Sequence, residues 1–264
     1  MKIARFVTDD GREVLGRLTG ERTAQPLVGE LFGELAFASE SVPIRRLLPP
    51  VAPPNIFAIG RNYRAHIAET GARMPERPLI FQKATTALIG HEDAIVLPGE
   101  APEEVDFEAE LAILIGRRAR RVSEATALDY VLGYTCANDV SARDCQRNDK
   151  QWARAKGFDT FAPLGPWLVT ADELDPDRCG IRSRLNGQVM QDASTSAMIH
   201  SCRALISYLS AQFTLLPGTV ILTGTPEGVG MARTPPVFLK PGDRIEVEVE
   251  GIGTLLNPVQ GEVL

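Results

Sequence analysis

The sequence is poor in the side chains that bind soft metals or carry covalent chemistry. It has four cysteines, Cys136, Cys145, Cys179 and Cys202, irregularly spaced and with no CxxC pair. Neither a zinc site nor a disulfide framework follows from that spacing, and free thiols in a reducing compartment are the expectation. Histidine is scarcer still, with three in the chain, so each is a candidate for chemistry. No apolar run approaches the roughly 20 residues that span a bilayer. The start, MKIARFVTDDGREV, lacks the apolar core and cleavage site of a leader peptide. A cytoplasmic protein without membrane contact is therefore expected. Positive charge is not in excess either: the net charge is −6, which argues against a nucleic-acid binder with a basic face. The densest basic run, GRRARR at 116–121, reads as a solvated turn.

What remains is an ordinary globular composition over 264 residues, enough for one large domain or a main domain with a small appendage. Residues 2–7 and 13–19 are short strand-like runs separated by TDDGR, and Asp-Gly between such runs signals a hairpin. Pro49, Pro50, Pro53 and Pro54 then form a stiff connector. The expectation is a small N-terminal β-rich domain over 1–52 and a body over 55–264. In the body, 55–60, 78–84, 94–98, 131–138 and the runs TVILTG and DRIEVEVEG read as strands. Short helices are expected over 61–71 and, behind Ser123, over 123–131; the longest, over 198–213, has apolar residues at helical spacing and carries His200. Strand and helix do not alternate regularly, which disfavours parallel α/β folds. The fold class is thus mixed and mainly β.

The segment EEVDFEAELAILIG at 103–116 poses the chemical question. Alternation puts Asp106, Glu108 and Glu110 on one face and Phe107, Ala109 and Leu111 on the other. At about 3.3 Å per residue, Glu108 and Glu110 lie roughly 7 Å apart along the backbone and can converge on one cation. The same pattern fits a half-exposed strand with a wet face. Buried, such carboxylates would require a cation, and oxygen-only ligands favour Mg²⁺, Mn²⁺ or Ca²⁺ over zinc. A third carboxylate is available at Asp139, in the polar turn of YTCANDVSARDCQ; a helix cap or turn is the plainer fate of an Asn-Asp pair. His66 and Glu69 in GRNYRAHIAE share a helix face, as a general-base pair or as a surface ion pair. His91 and His200 have no evident chemical partner. Lys156 in WARAKGFDTF could bind an anion or face solvent. The loop LTGTPEGVG lacks the ending of a phosphate-binding P-loop, but its N–H groups and Thr225 hydroxyl suit a carboxylate.

Taken in order, the segments GRNYRAHIAE, FQKATTALIG, VDFEAELAILIG, ANDVSARDCQ, AKGFDTFAPLGPW, LNGQVMQ, ILTGTPEGVG and PPVFLKPGDRIEVEVEGIGTL resemble the fumarylacetoacetate hydrolase family over about residues 55–258. The resemblance implies a β-sandwich-like roll with short flanking helices, usually a homodimer. It implies a divalent-metal site at Glu108, Glu110 and Asp139, loaded with Mg²⁺ or Mn²⁺, with Ca²⁺ a possible occupant in crystals. It implies a His66–Glu69 dyad on a mobile lid and an active-site Lys156. Arg143, Gln146, Thr225, Tyr63 and Lys83 resemble substrate-contacting positions, and Asp106 is expected at the site's edge, off the metal.

The implied substrates are small 2-oxo or 2,4-dioxo acids. The first expectation is hydrolysis of a C–C bond in an acylpyruvate, with His66 activating water, Lys156 facing the developing oxyanion and Arg143 pairing with a substrate carboxylate. Decarboxylation or isomerisation of a 2-oxo acid is the alternative, since all three share enolate stabilisation at the metal. A catalytically idle binding protein is a further reading, disfavoured by the intact acidic trio and dyad.

Overall fold

Aliphatic and β-branched runs form strands over most of the chain, and glycine and proline end them. The computed structural model describes residues 1–262. One large twelve-stranded sheet carries the fold, with a five-stranded sheet and a two-stranded ladder beside it. At its centre lies Ala109–Ile115, paired antiparallel with Val131–Asn138 on one side and with Val220–Leu222 on the other. Val220–Leu222 pairs in parallel with Ile56–Gly60, which pairs with Leu79–Lys83. Val131–Asn138 continues to Ala162–Thr170.

Every residue of Ala109–Ile115 is buried. Ala109, Leu111, Ile113 and Ile115 pack with Ile181, Val247 and Val249 of the five-stranded sheet and with Leu205, Ile206 and Leu209 of a helix. Ala112 and Leu114, on the opposite face, pack with Ile56, Ala58, Val220 and Leu222. Each valine, leucine or isoleucine among them contributes about 1.5–3 kcal/mol on full burial. Glu110 shares that second face and is buried with it.

The N-terminal hairpin pairs Lys2–Val7 with Glu13–Gly20. Ala4, Phe6, Ala24 and Ile44 form a small core of their own. Lys2 and Ile3 nevertheless pair with Val169 and Leu168. Hydrogen bonding therefore passes from the first segment into the main sheet without a break.

Four α-helices are short: α1 (Arg64–Glu69), α2 (Arg143–Asn148), α3 (Ala153–Gly157) and α4 (Cys202–Gln212). Two expectations need correction. Helix α4 starts at Cys202 rather than 198, because the Ser201 hydroxyl accepts from Ala204 N at 3.4 Å and caps it. The backbone N–H groups of Ile199 and His200 go instead to Asn62, so His200 precedes the helix. Glu124–Tyr130 is a 3₁₀ helix, and Ser123 pairs with the Thr126 hydroxyl rather than capping it. Among the described residues no helix is long and apolar enough to cross a membrane.

Candidate active site

The acidic segment does not run as one strand. Val105–Asp106 pairs with Ser141–Ala142 in the two-stranded ladder, while Ala109–Ile115 belongs to the large sheet. At the crossing, Glu108 N donates to Asn138 Oδ1 (3.0 Å) and Asp139 N donates to Glu108 O (2.9 Å). The expected alternation fails there: Phe107 packs in the core cluster opposite to that of Ala109 and Leu111. The break separates the tasks of the three carboxylates.

Glu108, Glu110 and Asp139 converge, each with one ligand atom within 4.8 Å of the others, and all three are buried. That spread approaches the span of oxygens around one hard cation, with metal–oxygen distances of roughly 2.0–2.6 Å. Asp106 is fully buried but turns away from the trio. It accepts from Gly230 N (2.8 Å), Met231 N (3.0 Å) and Arg143 Nε (3.0 Å). It anchors an arginine and a loop instead of sitting at an open edge.

Buried cations answer the buried carboxylates. Lys156 Nζ on α3 donates to Glu108 Oε2 (2.7 Å) and Asp139 Oδ2 (2.8 Å). Arg143 at the start of α2 places Nη2 2.9 Å from Asp106 Oδ2 and 2.8 Å from Glu108 Oε1. Lys83 Nζ donates to Asp139 Oδ1 and to Val140 O. Burial alone would raise the Glu108 carboxyl, but Lys156, Arg143 and His66 hold it well below its usual range. Among the described residues Glu110 has no such cation in contact, only Gly224 N donating at 2.6 Å. Burial, then the charges of Asp139 and Glu108, push it well above the usual carboxylate range. Burial works to lower Lys156 too, but Asp139 and Glu108 outweigh it and raise it; for Lys83 burial prevails and lowers it.

Among the described residues four buried carboxylates (Asp106, Glu108, Glu110, Asp139) thus face three buried cations (Lys83, Arg143, Lys156). The carboxylate left without a counter-charge is Glu110, inside the converging trio. An all-oxygen donor set with one uncompensated buried acid fits a hard divalent cation, and Glu108, Glu110 and Asp139 are the residues that could hold it.

His66 lies above this floor on α1. Its Nδ1 pairs with Glu69 Oε1 at 2.8 Å, and Glu69 Oε2 accepts from Gly228 N at 2.8 Å. Nε2 has no protein partner among the described residues. His66, Glu108, Glu110, Arg143, Lys156 and Gln146 line one cavity of about 240 Å³. Gln146 Oε1 accepts from Arg143 Nη1 (3.0 Å), which turns its amide N–H donors elsewhere.

Three expected substrate contacts sit differently. Tyr63 is fully buried and absent from the cavity wall, and burial first, then the charge of Glu110, pushes its phenol up. Lys83 also lies off the wall, behind Asp139. Thr225 does reach the wall, but its hydroxyl donates to Ala109 O (2.9 Å) and accepts from Gln191 Nε2 (2.8 Å). The glycine loop likewise turns its N–H groups to the protein's own carboxylates: Gly224 to Glu110, Gly228 to Glu69, Gly230 to Asp106.

Sequence reasoning missed Gln191 and Asn62. Gln191 is buried; its Oε1 accepts from Ala109 N and Ser183 Oγ, and its Nε2 donates to Thr225 and Pro226 O. Asn62 Nδ2 donates to His200 O (3.0 Å) and Thr223 O (2.7 Å), tying the root of α1 to the glycine loop. The only sequence signals were their places within LNGQVMQ and GRNY. The cysteines take no part: all four are buried and free, and burial pushes the Cys136 thiol up to about 12 and Cys179 to about 11. His91 Nδ1 accepts from Leu256 N at 3.2 Å, away from the cavity.

Comparison with known proteins agrees with this architecture. Residues 55–260 match the family model for the fumarylacetoacetate (FAA) hydrolase C-terminal domain. An oxaloacetate tautomerase (fahd2, mitochondrial) of Xenopus laevis is 48% identical over 219 residues, covering 81% of this chain and 68% of that protein. The crystal structure of a 5-carboxymethyl-2-hydroxymuconate delta-isomerase from Mycobacterium smegmatis superposes with a TM-score of 0.89 at 45% identity, covering 99% of this chain and all (100%) of that one. A 2-hydroxyhepta-2,4-diene-1,7-dioate isomerase from Mycobacterium marinum gives 0.88 at 43% identity, with 100% of both chains covered. With the family model spanning the central strands, the acidic trio and the dyad, the chain belongs to the fumarylacetoacetate hydrolase family and is an enzyme of that family.

Proposed function

We propose that the cavity moves a proton at the carbon next to the 2-oxo group of a small 2-oxo acid, as a keto–enol tautomerase or double-bond isomerase. The observation that carries this reading is one imidazole, His66, oriented by a carboxylate and facing the cavity whose wall includes Glu108 and Glu110 of the acidic trio. When bound there, Mg²⁺ or Mn²⁺ supplies a Lewis acid that lowers the cost of negative charge on the 2-oxo oxygen.

The chain's own groups do the rest. Glu69 holds Nδ1, so Nε2 is the ring nitrogen left to take the proton and return it. The Glu69 carboxylate also stabilises the imidazolium that forms between those events. Lys156 and Arg143 keep Glu108 ionised. The Gln146 amide N–H groups suit a substrate oxygen. A cavity of about 240 Å³ is smaller than a drug-sized site and suits a small metabolite. The names of the tautomerase and isomerase relatives support this order, which reverses the one expected from sequence.

Hydrolysis of a 2,4-dioxo acid is the second reading, favoured by the same dyad, because an oriented imidazole would equally deprotonate water. The test follows oxaloacetate enol-to-keto conversion by ultraviolet absorbance and acetylpyruvate cleavage by pyruvate release, with and without Mg²⁺. The expected result is Mg²⁺-dependent tautomerisation that His66→Ala slows by about 10²–10⁴-fold. Cleavage of acetylpyruvate without acceleration of the tautomerisation would favour hydrolysis. Turnover unchanged in both Glu108→Ala and His66→Ala, with the fold intact, would remove the site from either reaction.

A further inference from the structure

Four lysine and arginine side chains line the cavity, and three are already paired. Arg143 is held by Asp106 and Glu108, and Lys156 by Glu108 and Asp139. Arg147 makes a two-pronged pair with Glu104 at 2.6 and 2.8 Å. Arg61 is different: among the described residues it has neither a carboxylate within ion-pair distance nor a hydrogen-bond partner.

Its placement is specific all the same. The Arg61 backbone is left-handed, with φ 58°, a conformation that glycine adopts far more readily than arginine. The guanidinium carbon lies 6.0 Å from the centroid of the Trp152 ring, within reach of a cation–π contact. Trp152 is itself a fixed part of the cavity wall. It meets Phe81 edge-on at 5.4 Å and packs so closely on Gly60 that an added Cβ would lie 2.9 Å from Cζ3. A half-buried, always-charged group therefore stands on a rigid aromatic platform, facing the same cavity as the buried acidic floor.

We propose that Arg61 is a specificity-determining residue that pairs with a second, distal carboxylate, so that the site prefers 2-oxo dicarboxylic acids. This rests on the reading that a 2-oxo acid head occupies the floor beside Glu108 and Glu110. With the head there, the remaining chain of a small ligand extends along the cavity. Arg61 is the one lysine or arginine on the wall without a protein counter-charge to give up. Its planar fork matches a carboxylate through two parallel hydrogen bonds.

Two matched ligand pairs test this: 2-oxoglutarate against 2-oxopentanoate, and 2-oxoadipate against 2-oxohexanoate. Within each pair the chain length is the same and only the terminal carboxylate is replaced by methyl. Their dissociation constants are measured by calorimetry with Mg²⁺ present. The wild type is expected to favour the dicarboxylate in at least one pair by about 10–100-fold, the range for a charged hydrogen-bonded contact. Arg61→Ala should bring that ratio to about one, and Arg61→Lys should keep part of it. Arg61→Gly relieves the positive φ, so loss of the ratio at an undiminished Tm separates the missing charge from a folding defect. A wild-type ratio near one in both pairs, or a ratio that survives Arg61→Ala or Arg61→Gly, overturns the assignment. Deuterium exchange at C3 of the same ligands tests the chemistry separately. Absent exchange with an Arg61-dependent ratio sinks the proton-transfer reading alone; exchange with a ratio near one sinks the Arg61 role alone.

Discussion

Glu110 is the residue on which the site's charge balance turns. Burial and two neighbouring carboxylates raise it well above its usual 4.5, so the metal-free site binds a proton that the unfolded chain would release. Stability of the metal-free protein should therefore fall as pH rises above about 4.5, because there the native state holds more protons than the unfolded one. Glu108 acts in the opposite direction: its lowered value contributes stability that is lost as pH falls below 4.5. A divalent cation would take the place of the Glu110 proton. Calorimetry in buffers of different ionisation enthalpy should show about one proton released per Mg²⁺ bound, with affinity rising up to tenfold per pH unit. Binding with no proton release would show that Glu110 is already ionised. In Glu110→Gln the fall in stability above pH 4.5 should flatten.

At the scale of elements, the segment from Val105 to Ile115 does two jobs because it changes ladders midway. Asp106, on the short ladder, ties the start of α2 to the loop at Gly230 and Met231. Asp106→Asn should cost about 3–5 kcal/mol in urea unfolding, since it breaks a buried pair and leaves Arg143 with Glu108 alone. A cost below about 1 kcal/mol would mean that the loop amides alone hold the segment. This division was not legible in the sequence. Period-two alternation shows that Asp106, Glu108 and Glu110 share a parity, but the partners of Asp106 are 37, 124 and 125 residues away in the chain. The convergence of Glu108 and Glu110 was easier to read, because the two residues are neighbours in the chain, although Glu108 sits at the break just before the strand that carries Glu110. Asp139 was available as a third carboxylate in the polar turn, with a helix cap or turn as its plainer fate, and the family resemblance decided between the two. Helix α4 was legible from its apolar spacing, but its start was not, since Asn62 draws the preceding N–H groups away from across the fold.

For the whole molecule, the proline-rich connector marks a change of composition, not an end of hydrogen bonding. The first strand lies against Ala162–Thr170, and the Trp167 side chain packs against both the N-terminal core and the main one. Removing residues 1–52 should expose one edge of a sheet strand and part of an apolar face. The shortened chain is expected to aggregate or to lose several degrees in Tm, as read by size-exclusion chromatography and thermal unfolding. A truncated chain that stays monodisperse with an unchanged Tm would make the N-terminal segment an independent unit. The overall fold class could be read early, because strand-forming runs dominate and strands and helices do not alternate. The order of strands could not be read, since the central strand's neighbours come from 131–138 and 220–222, the second more than a hundred residues on.

The glycine loop has a practical consequence. Gly224, Gly228 and Gly230 each donate one amide hydrogen to a different carboxylate: Glu110 in the acidic trio, Glu69 on α1 and Asp106 behind Arg143. Glycine amides occupy a sparse region of a nitrogen–proton correlation spectrum, and a carboxylate acceptor shifts such a proton strongly. Three neighbouring resonances would then act as separate gauges of cation loading, α1 docking and the Arg143 anchor in a single titration.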